Sequence, residues 1–240
     1  MWAMRQPRVS IVALIVAAIA LIGVATLAFA YENLRRQMAG ISSDMARLPS
    51  ISGSHEHFEA RLAVIRSQLS RVRKPIIVMG DSIVESALLP PLLCGRPIIN
   101  AGVGGATIGF FARYASIIEN DANLSLLILA VGINDAGKGA DEKAFRLAYA
   151  ATLQSIHSPV AIGTIVAARS PLIDNDAVEN FNRAIHELAA GKTLIDLHSA
   201  VPGDLTVDGI HLNRDGYKLW TAALVSGAKR AIGCTESESN

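Results

Sequence analysis

Hydrophobic and polar positions divide this chain into an apolar stretch near the N-terminus, a region with helical spacing, and a longer part in which apolar runs alternate with amphipathic segments. Residues 10–30 carry no charged side chain. Because about 20 apolar residues suffice for a helix to cross a bilayer, residues 1–30 are predicted to form a membrane anchor. Arg5 and Arg8 precede the apolar stretch and favour a cytoplasmic N-terminus. This interpretation predicts a single-pass protein of the cell membrane, with the rest of the chain on the exported (periplasmic or extracytoplasmic) side.

A cleaved signal peptide is the alternative interpretation of residues 1–30. Ala28-Phe29-Ala30 fits the small-residue pattern of a cleavage site. The apolar core of a signal peptide usually has about 7–15 residues, and this stretch is longer, so we favour the anchor. Both interpretations predict that the remainder of the chain is exported.

Residues 31–73 have helical spacing and no strand pattern, which predicts a helical stalk. The apolar positions form two stripes, out of phase by one residue: Leu34, Met38, Ile41, Met45 and Leu48, then Phe58, Leu62, Ile65, Leu69 and Val72. Each stripe covers about two heptads, fewer than the three or four typical of a coiled coil. Two interpretations stay open: a homodimer through the stalk, and amphipathic helices packed on the domain or on a membrane surface.

From residue 74 onward, apolar runs that predict strands alternate with stretches that predict helices. The predicted strands cover residues 76–79, 97–100, 124–131, 160–165 and 193–197, and the predicted helices lie near residues 107–119, 141–157, 176–190 and 213–231. This alternation predicts an α/β domain at residues 74–234, with a five-stranded parallel sheet between layers of helices. Residues 235–240 are predicted to be a disordered tail.

The net charge and the cysteine spacing give no support to nucleic-acid binding or to a C-x-x-C metal or redox site. The formal net charge is +1, which gives no sign of a nucleic-acid partner. The two cysteines, Cys94 and Cys234, lack the C-x-x-C spacing of zinc and redox sites. Both lie in the part predicted to be exported, so a disulfide between them is a hypothesis. The alternative is that Cys94 is a small buried apolar residue and that Cys234 lies at a frayed end.

Polar residues follow the predicted strands at their carboxyl ends, where open α/β sheets bind their ligands. Ser82 follows the first strand, a glycine-rich turn at residues 100–107 follows the second, Asn134 follows the third, and a loop at residues 206–213 follows the fifth. The glycine turn does not match a dinucleotide-binding motif, because Thr107 occupies the position of the third glycine. We therefore expect one crevice with a serine at its centre.

A serine hydroxyl needs a base within hydrogen-bond reach to act as a nucleophile. An Asp three residues before a histidine can fold back onto the imidazole and leave its other nitrogen free, and Asp208 and His211 have this spacing. His198, with Asp196 nearby, is the rival base, and we favour His211. The donors predicted for an oxyanion are the backbone N–H groups of Ser82 and Gly105 and the side-chain amide of Asn134.

Four segments in this order resemble the sequence blocks of the SGNH (GDSL-type) hydrolase family. They are Gly80-Asp81-Ser82-Ile83, the turn at residues 100–105, Gly132-x-Asn134-Asp135 and Asp208-x-x-His211, and the resemblance covers residues 75–230. It implies a flavodoxin-like three-layer α/β/α sandwich and ester hydrolysis by an activated serine, without a metal or a cofactor. It also implies that Ser82 is the nucleophile, His211 the base and Asp208 its orienting partner, and that Ser82, Gly105 and Asn134 form the oxyanion hole. Ile83 stands where the family name has leucine.

The resemblance leaves the substrate open, because one fold serves many substrates. We expect an acyl or acetyl ester of an envelope glycan, or a small ester, cleaved through an acyl-enzyme. An acyltransferase of the same fold is one alternative. A membrane-tethered binding or scaffold protein without turnover is another, and labelling by a fluorophosphonate probe distinguishes it, since only an activated serine reacts.

Overall fold

The computed structural model describes residues 20, 22–33, 35–36, 53–120 and 123–234. Two compact units, Met1–Gly53 and Ser54–Asn240, divide the chain. In the first unit, residues 22–33 and 35–36 are helical. The first apolar stripe of the predicted stalk and the predicted tail at residues 235–240 lie outside the described residues.

The prediction of a transmembrane helix and a membrane location is wrong. Across the described residues, none of the helices combines the length and the apolar character that a bilayer crossing requires. Residues 1–19 and 21 of the predicted anchor lie outside the described part of the chain.

From Gly53 onward, the described residues form alternating helices and strands. In chain order they are α1 (Gly53–Leu69), β1 (Ile76–Gly80), α2 (Ser82–Glu85), β2 (Leu92–Leu93), β3 (Arg96–Gly102), α3 (Ile108–Asn120), β4 (Leu126–Ala130), α4 (Ile133–Gly137), α5 (Glu142–Ser155), β5 (Val160–Gly163), α6 (Asn175–Leu188), β6 (Thr193–Ile195), α7 (Leu197–Ala200) and α8 (Arg214–Ile232). The four long helices predicted after residue 74 correspond to α3, α5, α6 and α8.

The strands form one sheet in the order β2-β3-β1-β4-β5-β6. The five predicted strands are present and pair in parallel, with β1 at the centre between β3 and β4. The prediction of a five-stranded, purely parallel sheet is nevertheless wrong. A further strand, β2, pairs antiparallel with β3 and makes the sheet mixed.

Strand β2 was not predicted from the sequence, because this strand has only two residues and is joined to β3 by a tight turn. The turn residues Cys94 and Gly95 have φ angles of +52° and +70°. Two consecutive positive φ angles are typical of a two-residue hairpin loop, whose usual sequence signal is Asn-Gly or Asp-Gly. Here a cysteine occupies the first position, so the signal is missing.

The disulfide between Cys94 and Cys234 is confirmed, with the two Cα atoms 6.5 Å apart. This separation lies within the usual range for a disulfide. The bond joins the β2–β3 turn to the residue that follows the C-cap of α8. It therefore ties the antiparallel edge of the sheet to the C-terminal helix.

The apolar stripe of α1 belongs to the core of the α/β unit. Phe58, Leu62, Ile65 and Leu69 are buried, and they form one hydrophobic cluster with the central strands. Strands β1 and β4 are buried along their full length, as expected for central parallel strands. The segment predicted as the second half of a stalk thus packs on the domain, which was one of the two interpretations left open.

Candidate active site

Ser82 lies at a sharp transition between a strand and a helix. Strand β1 ends at Gly80, and α2 begins at Ser82. Asp81 caps this helix, because its side chain accepts a hydrogen bond of 2.9 Å from the N–H of Ile83. Gly80 is required at this point, since a Cβ there would collide with the carbonyl oxygen of Ala130 and with Val84. Ser82 is consequently placed at the carboxyl edge of the central strand.

Asp81 is buried, with 3% of its surface exposed. It borders a small internal cavity that is lined mainly by apolar side chains. Burial raises the pKa of Asp81 to about 7, and the nearby carboxylate of Asp135 acts in the same direction. Asp81 is therefore a structural cap whose neutral form is favoured by its surroundings.

Asn100, near the end of β3, holds α2 in place. Its side-chain amide donates hydrogen bonds to the carbonyl oxygens of Val84 (2.7 Å) and Ala87 (3.1 Å). Its side-chain oxygen accepts a hydrogen bond of 3.0 Å from the N–H of Gly102. Sequence reasoning gave this residue no separate role, although an asparagine at the end of an apolar strand was the available signal.

His211 joins Ser82 to Asp208. The Nε2 atom of His211 lies 2.9 Å from the Oγ atom of Ser82. Its Nδ1 atom lies 2.6 Å from Oδ2 of Asp208. The other oxygen of Asp208 accepts hydrogen bonds from the N–H groups of Ile210 and His211. The three side chains thus form a continuous hydrogen-bonded chain with the geometry of a serine nucleophile, a base and an orienting acid.

Hydrogen bonding also sets the charge of Asp208. The hydrogen bond with the His211 side chain, together with those from the two backbone N–H groups, lowers the pKa of Asp208 to about 2. About half of the Asp208 side chain is exposed, so solvent screens this interaction in part. Asp208 is a carboxylate at neutral pH and can stabilise an imidazolium at His211.

The loop that carries Asp208 and His211 depends on Gly209. Its φ angle is +88°, which favours glycine. Its carbonyl oxygen accepts hydrogen bonds from the N–H groups of Arg169 (2.7 Å) and Ser170 (3.1 Å), and a Cβ at Gly209 would lie 2.8 Å from the Ser170 nitrogen. The loop is therefore fixed against the segment that follows β5.

His198, the rival base, is engaged elsewhere. Its Nδ1 atom lies 2.9 Å from the carbonyl oxygen of Ile165, and its Nε2 atom lies 3.1 Å from a carboxylate oxygen of Glu179. Asp196 caps the short helix α7 by accepting a hydrogen bond from the N–H of Ser199. His198 and Asp196 thus belong to a separate polar cluster at β6, whereas His211 contacts Ser82.

The three predicted oxyanion donors lie at the ends of three adjacent strands. Ser82 begins α2, so its N–H has no acceptor within that helix. Gly105, with a φ angle of +75°, lies in the turn after β3. Asn134 lies in the first turn of α4, and its side-chain amide donates a 2.9 Å hydrogen bond to the carbonyl of Ala106. This bond connects the Asn134 segment to the glycine turn.

Asp135 contacts the C-terminal end of the glycine turn, where α3 begins. Its Oδ2 atom accepts a hydrogen bond of 3.0 Å from the N–H of Ile108, the first residue of α3. Burial raises the pKa of Asp135 to about 6. Two buried acids, Asp81 and Asp135, therefore cap the helices that follow β1 and β3.

Residues 78–219 match the profile of the GDSL-like lipase/acylhydrolase family. This chain belongs to that family. The matched region contains Ser82, Asp208 and His211, and the predicted resemblance to SGNH (GDSL-type) hydrolases is confirmed. No curated protein matches this chain in sequence.

Solved structures agree with GDSL-family membership at the level of the fold. A proposed platelet activating factor from Streptococcus pneumonia has a TM-score of 0.64 at 20% identity, covering 78% of this chain and 98% of its own. The lipase/acylhydrolase from Enterococcus faecalis has a TM-score of 0.56 at 24% identity, covering 65% and 96%. An acetylxylan esterase from Geobacillus stearothermophilus has a TM-score of 0.53 at 13% identity, covering 68% and 95%. The chain thus has the fold of GDSL-type esterases and acylhydrolases.

Helix α1 lies outside the region matched by the GDSL family profile, yet it contacts the glycine turn. Glu85 accepts a hydrogen bond of 2.5 Å from the N–H of Gly104 and pairs with His57 (3.0 Å) and Arg61 (3.5 Å) of α1. Arg61 also donates a 3.0 Å hydrogen bond to the carbonyl oxygen of Gly102. Sequence reasoning missed these contacts, because His57 and Arg61 belong to none of the four segments that resemble the SGNH family.

Proposed function

We propose that this protein is a serine ester hydrolase that acts through an acyl-enzyme intermediate. The observation that carries the proposal is the hydrogen-bonded chain from Ser82 through His211 to Asp208, with distances of 2.9 Å and 2.6 Å. Membership of the GDSL-like lipase/acylhydrolase family supports it.

In the first half of the reaction, Ser82 Oγ attacks the ester carbonyl carbon while His211 Nε2 takes the hydroxyl proton. Asp208, ionised because its pKa is low, stabilises the imidazolium through Nδ1. The C–O bond to the alcohol then breaks, and the imidazolium returns its proton to the leaving oxygen. The acyl group remains bonded to Ser82 Oγ.

In the second half, water replaces the alcohol. His211 takes a proton from water, the resulting hydroxide oxygen attacks the acyl carbon, and the acid leaves as Ser82 regains its proton. In both halves the negative charge on the carbonyl oxygen is stabilised by the N–H groups of Ser82 and Gly105 and by the Asn134 amide. Each of the three donors follows a different strand, so the sheet holds them in a fixed relation.

We propose acetyl and other short acyl esters, including those carried by carbohydrates, as the substrate class. Support comes from structural neighbours described as an acetylxylan esterase and an acetyl esterase, at 13% and 15% identity. A panel of p-nitrophenyl esters from acetate to decanoate measures the preference directly. We expect kcat/KM to be highest at acetate or propionate, and a maximum at octanoate or beyond would contradict the proposal.

The test of the mechanism is labelling with a fluorophosphonate, which reacts with an activated serine. The wild-type protein should be labelled at Ser82, and Ser82→Ala should remove both labelling and hydrolysis of p-nitrophenyl acetate. His198→Ala is the matched control for His211→Ala, because His198 contacts Ile165 and Glu179 instead of Ser82. Full activity in His211→Ala, or labelling that persists in Ser82→Ala, would show that the proposed site is wrong.

A further inference from the structure

A groove beside the glycine turn is lined by side chains of helices α1 and α3 and by Lys138. Gly104 and Gly105 form the wall that the groove shares with the proposed oxyanion hole. The opposite walls come from Phe58 of α1, from α3, and from Lys138, which follows α4. A ligand whose ester carbonyl reaches Gly105 therefore has this groove next to it.

Aromatic rings form the apolar side of the groove. The ring centroid of Phe58 lies 4.6 Å from that of Phe110 and 4.4 Å from that of Tyr114, and the centroids of the last two are 4.6 Å apart. Phe58 is buried, whereas Phe110 and Tyr114 are partly exposed. The cluster thus offers pre-positioned ring faces against which a flat or cyclic ligand group can pack.

Cationic groups form the polar side of the groove. Arg113 and Lys138 are exposed and line it, and the Lys138 Nζ atom donates a 3.0 Å hydrogen bond to the carbonyl oxygen of Gly105. Among the described residues that line the groove there is no carboxylate. Glu85, which contacts Gly104, is already paired with the α1 side chains His57 and Arg61. The groove therefore favours a negatively charged group, and the planar guanidinium of Arg113 suits a carboxylate.

We propose that this groove binds the alcohol part of the substrate, and that this part carries both a ring and a negative charge. The inference rests on the proposed function: if the acyl group is short, the alcohol is the part that extends from the oxyanion hole. The ring packs on Phe110 and Tyr114, and the charge pairs with Arg113 and Lys138. Acidic sugars and phenolic acids share this chemistry.

The test compares 4-acetoxybenzoate with its neutral methyl ester, since the two share a ring and an acetyl group. Because the two phenols differ in reactivity, the measured quantity is the ratio of their kcat/KM values within each variant. Arg113→Gln should lower this ratio by up to about five-fold, and Arg113→Glu should lower it further. The wild-type ratio should also fall as salt is raised from 20 to 500 mM, because the screening length shortens from roughly 20 Å to roughly 4 Å.

Arg71→Gln is the matched control, because Arg71 is an exposed arginine that does not line the groove. Its ratio should equal that of the wild type. Hydrolysis of both esters with the same ratio in wild type and Arg113→Gln would overturn the inference and leave the proposed function intact. Labelling of Ser82 without turnover of either ester would also overturn it. Absence of both labelling and turnover would overturn the proposed function together with the inference.

A second substrate pair distinguishes the two sources of the anionic ring. Acetylated oligogalacturonides present a sugar ring with a carboxylate, and acetylated neutral xylo-oligosaccharides lack the charge. If the acidic oligosaccharide has a higher kcat/KM than the neutral one and Arg113→Gln removes the difference, the alcohol is an acidic sugar. If the two oligosaccharides are hydrolysed alike while the 4-acetoxybenzoate ratio still depends on Arg113, the alcohol is a phenolic acid.

Discussion

Gly102→Ala tests whether the position of α2 controls the reaction. Gly102 ends β3, and α2 passes directly over it. A Cβ at this position would lie 2.1 Å from the backbone nitrogen of Glu85 and 2.6 Å from its Cα atom. Both are backbone atoms, so no side-chain rotation relieves the clash. The helix or the strand end has to move.

The size of the movement follows from these distances. The contact with the Glu85 nitrogen has to increase from 2.1 Å to at least the 3.4 Å of an ordinary contact, a displacement of roughly 1.3 Å. Ser82 begins the same short helix, and its Oγ atom lies 2.9 Å from His211 Nε2. A displacement of this size takes the Oγ atom of Ser82 beyond hydrogen-bond distance from the Nε2 atom of His211. Because a misplacement of about 1 Å can cost on the order of 10² in rate, we expect kcat/KM to fall by about that factor.

The assay is hydrolysis of p-nitrophenyl acetate together with the rate of fluorophosphonate labelling. Thermal unfolding is followed in parallel, since overpacking alone costs about 1–3 kcal/mol of stability. Gly23→Ala is the control, because a Cβ there would have no neighbour within 4 Å. Its activity should stay within about two-fold of wild type, because the added methyl group requires no atom to move. A folded Gly102→Ala protein with wild-type activity and labelling would refute the reasoning.

Three further outcomes are expected. Asn134→Ala should lower kcat on p-nitrophenyl acetate by about 10²–10³, as for loss of one oxyanion donor, and an unchanged kcat would remove Asn134 from that role. Cys234→Ser should lower the free energy of unfolding in denaturant by about 2–5 kcal/mol, and wild-type protein with the disulfide reduced should be equally destabilised. If the oxidised wild type, the reduced wild type and Cys234→Ser were equally stable, this prediction would be contradicted. The free energy of unfolding should fall as pH rises from about 4 to 7, because folding raises the pKa of Asp81 from 3.8 to about 7 and the folded state therefore retains a proton that the unfolded state has lost. Asp81→Asn should flatten this slope.

The parts of the site that could be predicted from sequence depend on local signals. A buried parallel strand produces an apolar run, and the polar residue after it has to lie at the carboxyl edge of the sheet. This reasoning placed Ser82 and Asn134 after the correct strands. The spacing of Asp208 and His211 is also local, since a three-residue separation with a glycine lets the carboxylate return to the imidazole.

The parts that could not be predicted depend on short elements or on distant contacts. Helices α2, α4 and α7 have four or five residues, too few for a periodic pattern. The anchor prediction rested on the hydropathy and length of one stretch. An apolar stretch does not by itself identify the environment in which it lies. The hydrogen bonds from the Asn100 side chain to the carbonyl oxygens of Val84 and Ala87 join residues that no sequence motif relates to one another.

Helix α1 shows the same limit where it affects function. Its apolar stripe has the spacing of a stalk helix, but helical periodicity defines a buried face without identifying the partner surface. The partner is the core of the hydrolase unit, and this packing brings Arg61 to the carbonyl of Gly102 and Phe58 to the groove beside Gly105. The family profile begins at residue 78, so the family resemblance has no information on these contacts. The residues that support the glycine turn and shape the adjoining groove therefore include a segment that neither motif nor family identifies.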